Sequence, residues 1–328
     1  MSEADALLAD ACARLFAQHA PPDVADAAEQ GAFPAALWSA LDAAGMLAVL
    51  ASKEPSAVAD AMTLLRAAGA AGAPGPLLDH VIAAHLLHRA GIGPPAGPLT
   101  LARGDGASGT VRVNWAADAQ VVAHVDGRLT LLRRAQVPAG KRATSMAGEP
   151  TALLRLDVDA EAQAPSDATA EEVECLGALG RAAQMAGAMS GALDLAVAYV
   201  NTRAQFGRPL AKFQAIQHQL AVLAEEAASA GVAVDLAVAA WPGDAALRRF
   251  AVGAAKIRAG EAAGAVARIA HQVHGAMGFT HEYRLHHLTR RLWTWRDDFG
   301  AESVWAERLG RQIAAGGGAA LWPLLARG

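Results

Sequence analysis

Tyr199-Val-Asn-Thr-Arg-Ala-Gln-Phe-Gly-Arg-Pro-Leu210, followed after Ala211 by Lys212-Phe-Gln-Ala-Ile-Gln-His-Gln-Leu220, decides how the rest of this chain is read. The pattern predicts a long helix that delivers Arg203 to its last turn. Gly207 is suited to the left-handed position just past a helix end, and Pro209 forbids continuation. A second helix then follows, in which Phe213, Ile216, Leu220 and Leu223 recur on one face. At the turn between them Arg203 stands beside Gln205 and Phe206. A planar guanidinium there suits a diphosphate, with a flat apolar ring nearby. The same residues also describe an ordinary helix end with Arg203 on its C-terminal dipole, the favoured reading of this stretch alone.

Outward from that stretch, helical periodicity covers roughly 170–203, 210–241, 244–275 and 286–314. Four long helices with short connections make an antiparallel bundle. The third ends in His271-Gln-Val-His-Gly-Ala-Met-Gly-Phe-Thr-His-Glu-Tyr283. There Gly275 and Gly278 permit close approach of backbone to a ligand, and Gln272 both donates and accepts hydrogen bonds. A lone G-x-x-G turn is weak evidence, since glycine ends many helices. His271 and His274 share a helix face, but no third ligand accompanies them, so metal ranks below a structural role.

Towards the N-terminus the chain also reads as helices. Leu7, Leu8, Ala11, Leu15 and Phe16 form one face, and Phe33-Pro34 opens a helix carrying Leu37, Trp38 and Leu41 up to Gly45. Further helices are expected over 58–68 and 80–89, and the Pro- and Gly-rich loop 92–98 marks a boundary. From about 99 to 159 the pattern turns to strands. Val111–Trp115 alternates, 121–125 and 129–132 flank the hairpin signal Asp126-Gly127, and 152–158 is apolar. The expected fold is mainly α with a small β domain of about four strands. Its domains are 1–98, helical; 99–160, β; and 161–328, a helical bundle.

The formal net charge of −4, with scattered Lys and Arg, gives no basis for binding nucleic acid or a charged membrane surface. No uninterrupted apolar stretch approaches a membrane span: Ala182–Val197 contains Gln184, Ser190 and Asp194. The acidic N-terminus lacks a secretory pattern, and Cys12 and Cys175 have no metal spacing. The expectation is a soluble protein of the reducing cytoplasm.

Taken together and in order, the two stretches resemble the acyl-CoA dehydrogenase family. Its pattern is T-R-x-x-F-G-x-x-L, a glutamine-bearing helix start, then Q-x-x-G-x-x-G-[FY]-x-x-E. Phe33-Pro-Ala-Ala-Leu-Trp38 with Ala44-Gly-Met46 is similar to its first helical domain, and Leu288-Thr-Arg-Arg291 to a later motif. The resemblance implies α,β-dehydrogenation of an acyl-CoA, FAD at a dimer interface, and an electron-transfer flavoprotein as acceptor. Carried over by position, it assigns Arg203, Gln205, Phe206, Gln214, Gln272 and Gly275 to FAD. Ala276 stands where the family has a second glycine.

The resemblance also exposes departures. The usual base is a glutamate in a Tyr-Glu-Gly-Thr turn, and that position falls on Phe299, followed by Gly300. Asp298 is adjacent, and relatives that oxidise nitroalkanes use an aspartate there; Asp297-Asp298 reads equally as a solvated pair. A second base location in the family falls on Gly177, with Glu174 one turn earlier. The middle domain lacks the family's Glu/Gly/Ser-rich strand and Trp-x-Thr-Asn motif; only 103–109 and Trp115-Ala-Ala-Asp118 stand there. The catalytic residue is therefore left unassigned. The expectation is the base-deficient subunit of a heteromeric acyl-CoA dehydrogenase. The alternatives are a self-sufficient homodimer using Asp298 or Glu174, and a flavin-free helical interaction protein.

Overall fold

The computed structural model describes residues 3–52, 54–103, 110–125, 127–134, 141–155 and 162–326. Two compact units emerge, Met1–Leu64 with Ala73–Gly177, and Leu65–Gly72 with Ala178–Gly328. The fold is mainly α with a small β portion, as the sequence implies.

In the first unit, α1 (Glu3–His19) buries Cys12 and Phe16, and α2 (Pro22–Glu29) starts on a proline at its first turn. The sequence reading had missed α2, although a proline at the first helical position costs no hydrogen bond. Next, α3 (Ala35–Ala43) buries Leu37, Trp38 and Leu41 before Gly45 turns left-handed at φ 69°. Helix α4 (Ala57–Ala71) begins here, and α5 (Leu77–Arg89) is buried along most of its length. Asp79 and His80 go inside with it because both are satisfied. Asn114 Nδ2 donates to Asp79 at 3.3 Å, and the Leu99 N–H donates to His80 Nδ1 at 2.9 Å.

Seven strands follow among the described residues, more than the four expected. They are β1 (Leu99–Arg103), β2 (Thr110–Asn114), β3 (Gln120–Val125), β4 (Arg128–Leu132), β5 (Lys141–Thr144), β6 (Pro150–Arg155) and β7 (Ala162–Pro165). They form one sheet in the order β1-β3-β4-β7 and another in the order β2-β6-β5. The hairpin lies where expected: Val125 pairs with Arg128, and Gly127 takes φ 71°. Asp126, and residues 104–109 of the middle-domain departure, lie outside the described residues. Val111, Val113, Val121, Ala123, Leu132 and Leu154 form a small core of their own, the period-2 face of the strands.

The second unit contains the bundle: most of α6 (Ala170–Thr202), then α7 (Gln214–Ala239) and α8 (Ala245–His274). The expected last helix is broken in two, α9 (Leu285–Asp297) and α10 (Glu302–Gly316), and a short α11 (Gly318–Leu325) follows. The break is seen in the backbone: Phe299 and Gly300 adopt φ 57° and 94°, which no right-handed helix admits. Antiparallel packing is fixed by side-chain pairs. Arg258 of α8 bonds Ser229 and Glu226 of α7, and His271 meets Thr289 of α9 at 2.9 Å. Tyr199, near the end of α6, stacks on His274 at the end of α8, with ring centroids 4.7 Å apart. The end of α4 meets α6 at backbone distance: a Cβ on Gly187 would lie 1.9 Å from the Arg66 carbonyl oxygen.

Candidate functional site

Both signature stretches leave the bundle at the end marked by the Tyr199–His274 stack. After Thr202 the chain forms a small hairpin of β8 (Ala204–Gln205) and β9 (Arg208–Pro209), in which Gln205 pairs with Arg208. Sequence had suggested a simple cap centred on Gly207. Instead Phe206 and Gly207 both take positive φ, 52° and 79°, and make a two-residue reverse turn. This holds the Phe206 ring 91% exposed, touched edge-on by Phe213 at 6.2 Å. Arg203 and Gln205 are likewise exposed, and Gln214 opens α7 directly after Phe213. Arg203, Gln205 and Phe206 therefore stand on one hairpin, with Gln214 one residue beyond the ring that touches it.

An exposed phenylalanine in a left-handed conformation is strained by about 1 kcal/mol and gains nothing from burial. Phe206→Asn, which creates the Asn-Gly pair such turns prefer, is expected to raise stability by about 0.5 kcal/mol. Thermal unfolding of the two proteins checks this; a lower melting temperature would mean that the ring has packing partners.

Gln272 and Gly275 stand on a second surface. With Arg268, His271, Phe279 and Trp293 they line an open groove of about 400 Å³ along the end of α8. Gly275 ends the helix at φ 59°, and nothing lies within 4 Å of where its Cβ would be, so backbone is open to a ligand there. Gly278 differs from expectation: it is buried, and a Cβ would meet that of His274 at 2.9 Å, so packing within the turn requires it. His274 is buried, its Nδ1 donating to the Ala270 carbonyl at 2.7 Å and its Nε2 accepting from the Tyr283 hydroxyl at 3.0 Å. Burial lowers its pKa and that of His271. Both rings pack within the turn, His271 against Thr289 and Phe279 and His274 against Ala270 and Tyr283. Arg268, Phe279 and Trp293 were missed by the sequence reading. The signal was present: Arg268 precedes Gln272 by four residues and shares its face.

The base position is closed. Phe299 is 4% exposed, and its carbonyl accepts from Trp305 Nε1 at 2.8 Å. The buried ammonium of Lys256 donates to the carbonyls of Arg296 at 2.6 Å and Gly300 at 2.8 Å, satisfying the open C-terminus of α9. Asp298 is bound by Arg181 Nε at 3.0 Å, and Arg181 is only 6% exposed and also donates to Gln184 at 2.7 Å. A neutral side chain at this position would remove the charge that Arg181 Nε meets inside the bundle. Asp298→Asn is accordingly expected to cost about 2 kcal/mol, measurable by urea unfolding. An unchanged midpoint would show that the pair contributes nothing. At the second base location Gly177 is buried, and Glu174 is half-buried one turn earlier.

The exposed groups of the assigned residues are three carboxamides, a guanidinium, an unshielded ring and an open glycine backbone. That donor set fits a nucleotide diphosphate: charged bidentate donors for phosphate, and an apolar face for a base. It offers no carboxylate suited to proton abstraction.

The pattern described as the acyl-CoA dehydrogenase C-terminal domain matches residues 176–314. Acyl-CoA dehydrogenase IpdE2 of Mycobacterium tuberculosis is 32% identical over 301 residues, spanning 87% of this chain and 89% of its own. The IpdE2 of Mycolicibacterium smegmatis is 32% identical over 305 residues, 86% and 90% of the two chains. Among solved structures, a variant of the Tcur3481-Tcur3483 steroid ACAD superposes with a TM-score of 0.80 at 25% identity, covering 96% of this chain and 98% of that one. The ChsE4-ChsE5 complex from Mycobacterium tuberculosis superposes with a TM-score of 0.81 at 21% identity, with the same coverage. The chain belongs to the acyl-CoA dehydrogenase family.

Proposed function

We propose that this chain is the base-deficient subunit of a heteromeric, FAD-dependent acyl-CoA dehydrogenase. A partner chain supplies the catalytic base and the flavin-ring pocket. The observation that carries the reading is the contrast within the second unit. The base position is a buried phenylalanine whose neighbour Asp298 is held in an ion pair. The nucleotide-type contacts, by contrast, all face outward. A surface hairpin with an unshielded ring is what a ligand shared with a second chain requires. Relatives named as two-component assemblies, the Tcur3481-Tcur3483 ACAD and the ChsE4-ChsE5 complex, support the same reading.

In this assignment Arg203 pairs with the diphosphate, Gln205, Gln214 and Gln272 bond the sugar and phosphate oxygens, and Phe206 covers an apolar face. Gly275 lets the backbone come close. FAD, when bound, supplies the hydride acceptor for the dehydrogenation of the acyl-CoA. Proton removal falls to the partner, because a base must be desolvated and unpaired to match an activated α-carbon. Electrons leave through an electron-transfer flavoprotein. Among the described residues no helix is long and apolar enough to cross a membrane.

The test is the visible absorbance spectrum of the chain purified alone, then co-expressed with a longer dehydrogenase chain bearing the glutamate turn. Expected are a colourless chain alone and a yellow complex that an acyl-CoA bleaches. A yellow chain that bleaches without a partner would overturn the assignment in favour of a self-sufficient enzyme. In the complex, Phe206→Asn is expected to lower flavin content without loss of stability.

A further inference from the structure

Three of the 11 histidines, His281, His286 and His287, stand close together where the turn after α8 runs into α9. All three belong to the second compact unit. The ring centroids of His281 and His286 lie 5.3 Å apart, and those of His286 and His287 3.9 Å. His286 is the centre of the group, with a ring nitrogen within 4.8 Å of one on His281 and of one on His287. Its tautomer follows from its surroundings. Nδ1 stands 2.9 Å from the Tyr283 carbonyl, which only accepts, so Nδ1 carries the proton and Nε2 the lone pair. That Nε2 is buried and meets no hydrogen-bond partner in the chain. A buried acceptor left unpaired is costly, and such exceptions call for a reason. An imidazole whose other nitrogen donates to a backbone carbonyl is oriented as metal-binding histidines are.

We propose that His281 and His286 bind one late divalent transition-metal ion, of the zinc, nickel or copper class, His286 through Nε2. Imidazole nitrogens favour these ions, whereas magnesium and calcium take oxygen. Tetrahedral zinc holds two such nitrogens about 3.4 Å apart, and His281 is exposed, so its ring can turn inward to that spacing. His287, 3% exposed, packs against His286 and steadies its ring. Two features oppose a cation: His286 lies in the first turn of α9, at the positive end of the helix, and Arg284 precedes it. Each helix-end effect of this kind weakens binding by about 2- to 5-fold, less than the loss of a ligand. With two protein ligands, the ion keeps water in its remaining positions. It acts as a clip that ties the turn after α8 to the start of α9, and the assignment is independent of the subunit reading.

The test titrates the full chain, free of any polyhistidine tag and stripped with EDTA, with zinc and separately with magnesium, by calorimetry. Saturable binding of one zinc per chain in the micromolar range is expected, and none of magnesium. His281→Ala weakens zinc by about a hundredfold, the upper end of what altering an outer-shell partner costs. His286→Ala does the same, while His218→Ala, at an exposed position on α7, keeps wild-type affinity. His281 is exposed, so its variant keeps the wild-type circular dichroism and carries the test even where His286→Ala fails to fold. Zinc raises the melting temperature of the wild type and not that of His281→Ala. Absence of saturable zinc binding would overturn the proposal, leaving the imidazoles to pair with each other. Wild-type affinity in His281→Ala would overturn it as well, since the zinc would then sit on other histidines.

Discussion

Replacing Gly187 by alanine is expected to destabilise the chain by about 3 kcal/mol and to lower its melting temperature by roughly 6–12 °C. The sign is what makes this informative. In a helix with open surroundings, glycine to alanine stabilises by up to about 1 kcal/mol through propensity. At Gly187 the added carbon would stand 1.9 Å from the carbonyl oxygen of Arg66 and 2.9 Å from the backbone nitrogen of Ala70. Neither is a flexible side chain, so α4 and α6 would have to separate. Gly69 and Gly191 also make close approaches, of 2.0 Å to the Gln184 carbonyl and 2.5 Å to the Ala70 carbonyl, so separation at one point loosens all three. Gly231→Ala is the matched control, since nothing lies within 4 Å of its Cβ position, and it is expected to be neutral or stabilising. Equal shifts in the two variants would refute the backbone-contact account.

Acidification from pH 6.5 to 4 is expected to remove about 3 kcal/mol through His80 alone. Burial pushes the His80 pKa down from 6.5 to about 4. Above pH 6.5 the ring is neutral in both folded and unfolded chains, and stability is complete. Below that, the unfolded chain takes up a proton that the folded chain refuses until about pH 4, so stability falls across this window. The refusal is physical: Nδ1 is occupied as acceptor of the Leu99 N–H, and the Trp38 ring closes over it at 5.1 Å. His85, His271 and His274 are lowered by burial as well and act in the same direction. His80→Asn keeps an acceptor but cannot titrate. Urea unfolding at several pH values should show a slope shallower by one proton in that variant, and identical slopes would exonerate His80.

How much of this was legible in the sequence depended on whether local chemistry or tertiary contact fixed each element. Helices α3, α5, α6 and α8 were readable because apolar spacing and glycine stops coincide there, as at Gly45 and Gly275. Strand β7 was not: Ala162-Gln-Ala-Pro165 has little strand propensity and forms because β4 offers it an edge. The break after α9 was hidden for a similar reason. Helical spacing runs through 286–314 without a proline. What bends the chain is the grip of Lys256, Arg181 and Trp305, drawn from three other helices, on the turn at Phe299. At the candidate site, residue types and order were visible in Arg203, Gln205, Phe206, Gln272 and Gly275. Their outward presentation was not, because exposure of Phe206 follows from a turn conformation disfavoured for phenylalanine.

Lys256 gives the chain an internal reporter. Only 4 of its 28 basic residues are lysines, Lys53, Lys141, Lys212 and Lys256. Burial brings the Lys256 amine down to about 8, which makes it intrinsically nucleophilic near neutral pH, yet it is 0% exposed. Thioesters and other acylating reagents therefore meet it only when the second unit opens. The rate at which Lys256 is acylated, relative to exposed Lys212, measures how often the bundle breathes. Partner or nucleotide binding should slow that labelling by the same factor by which it stabilises the bundle against opening.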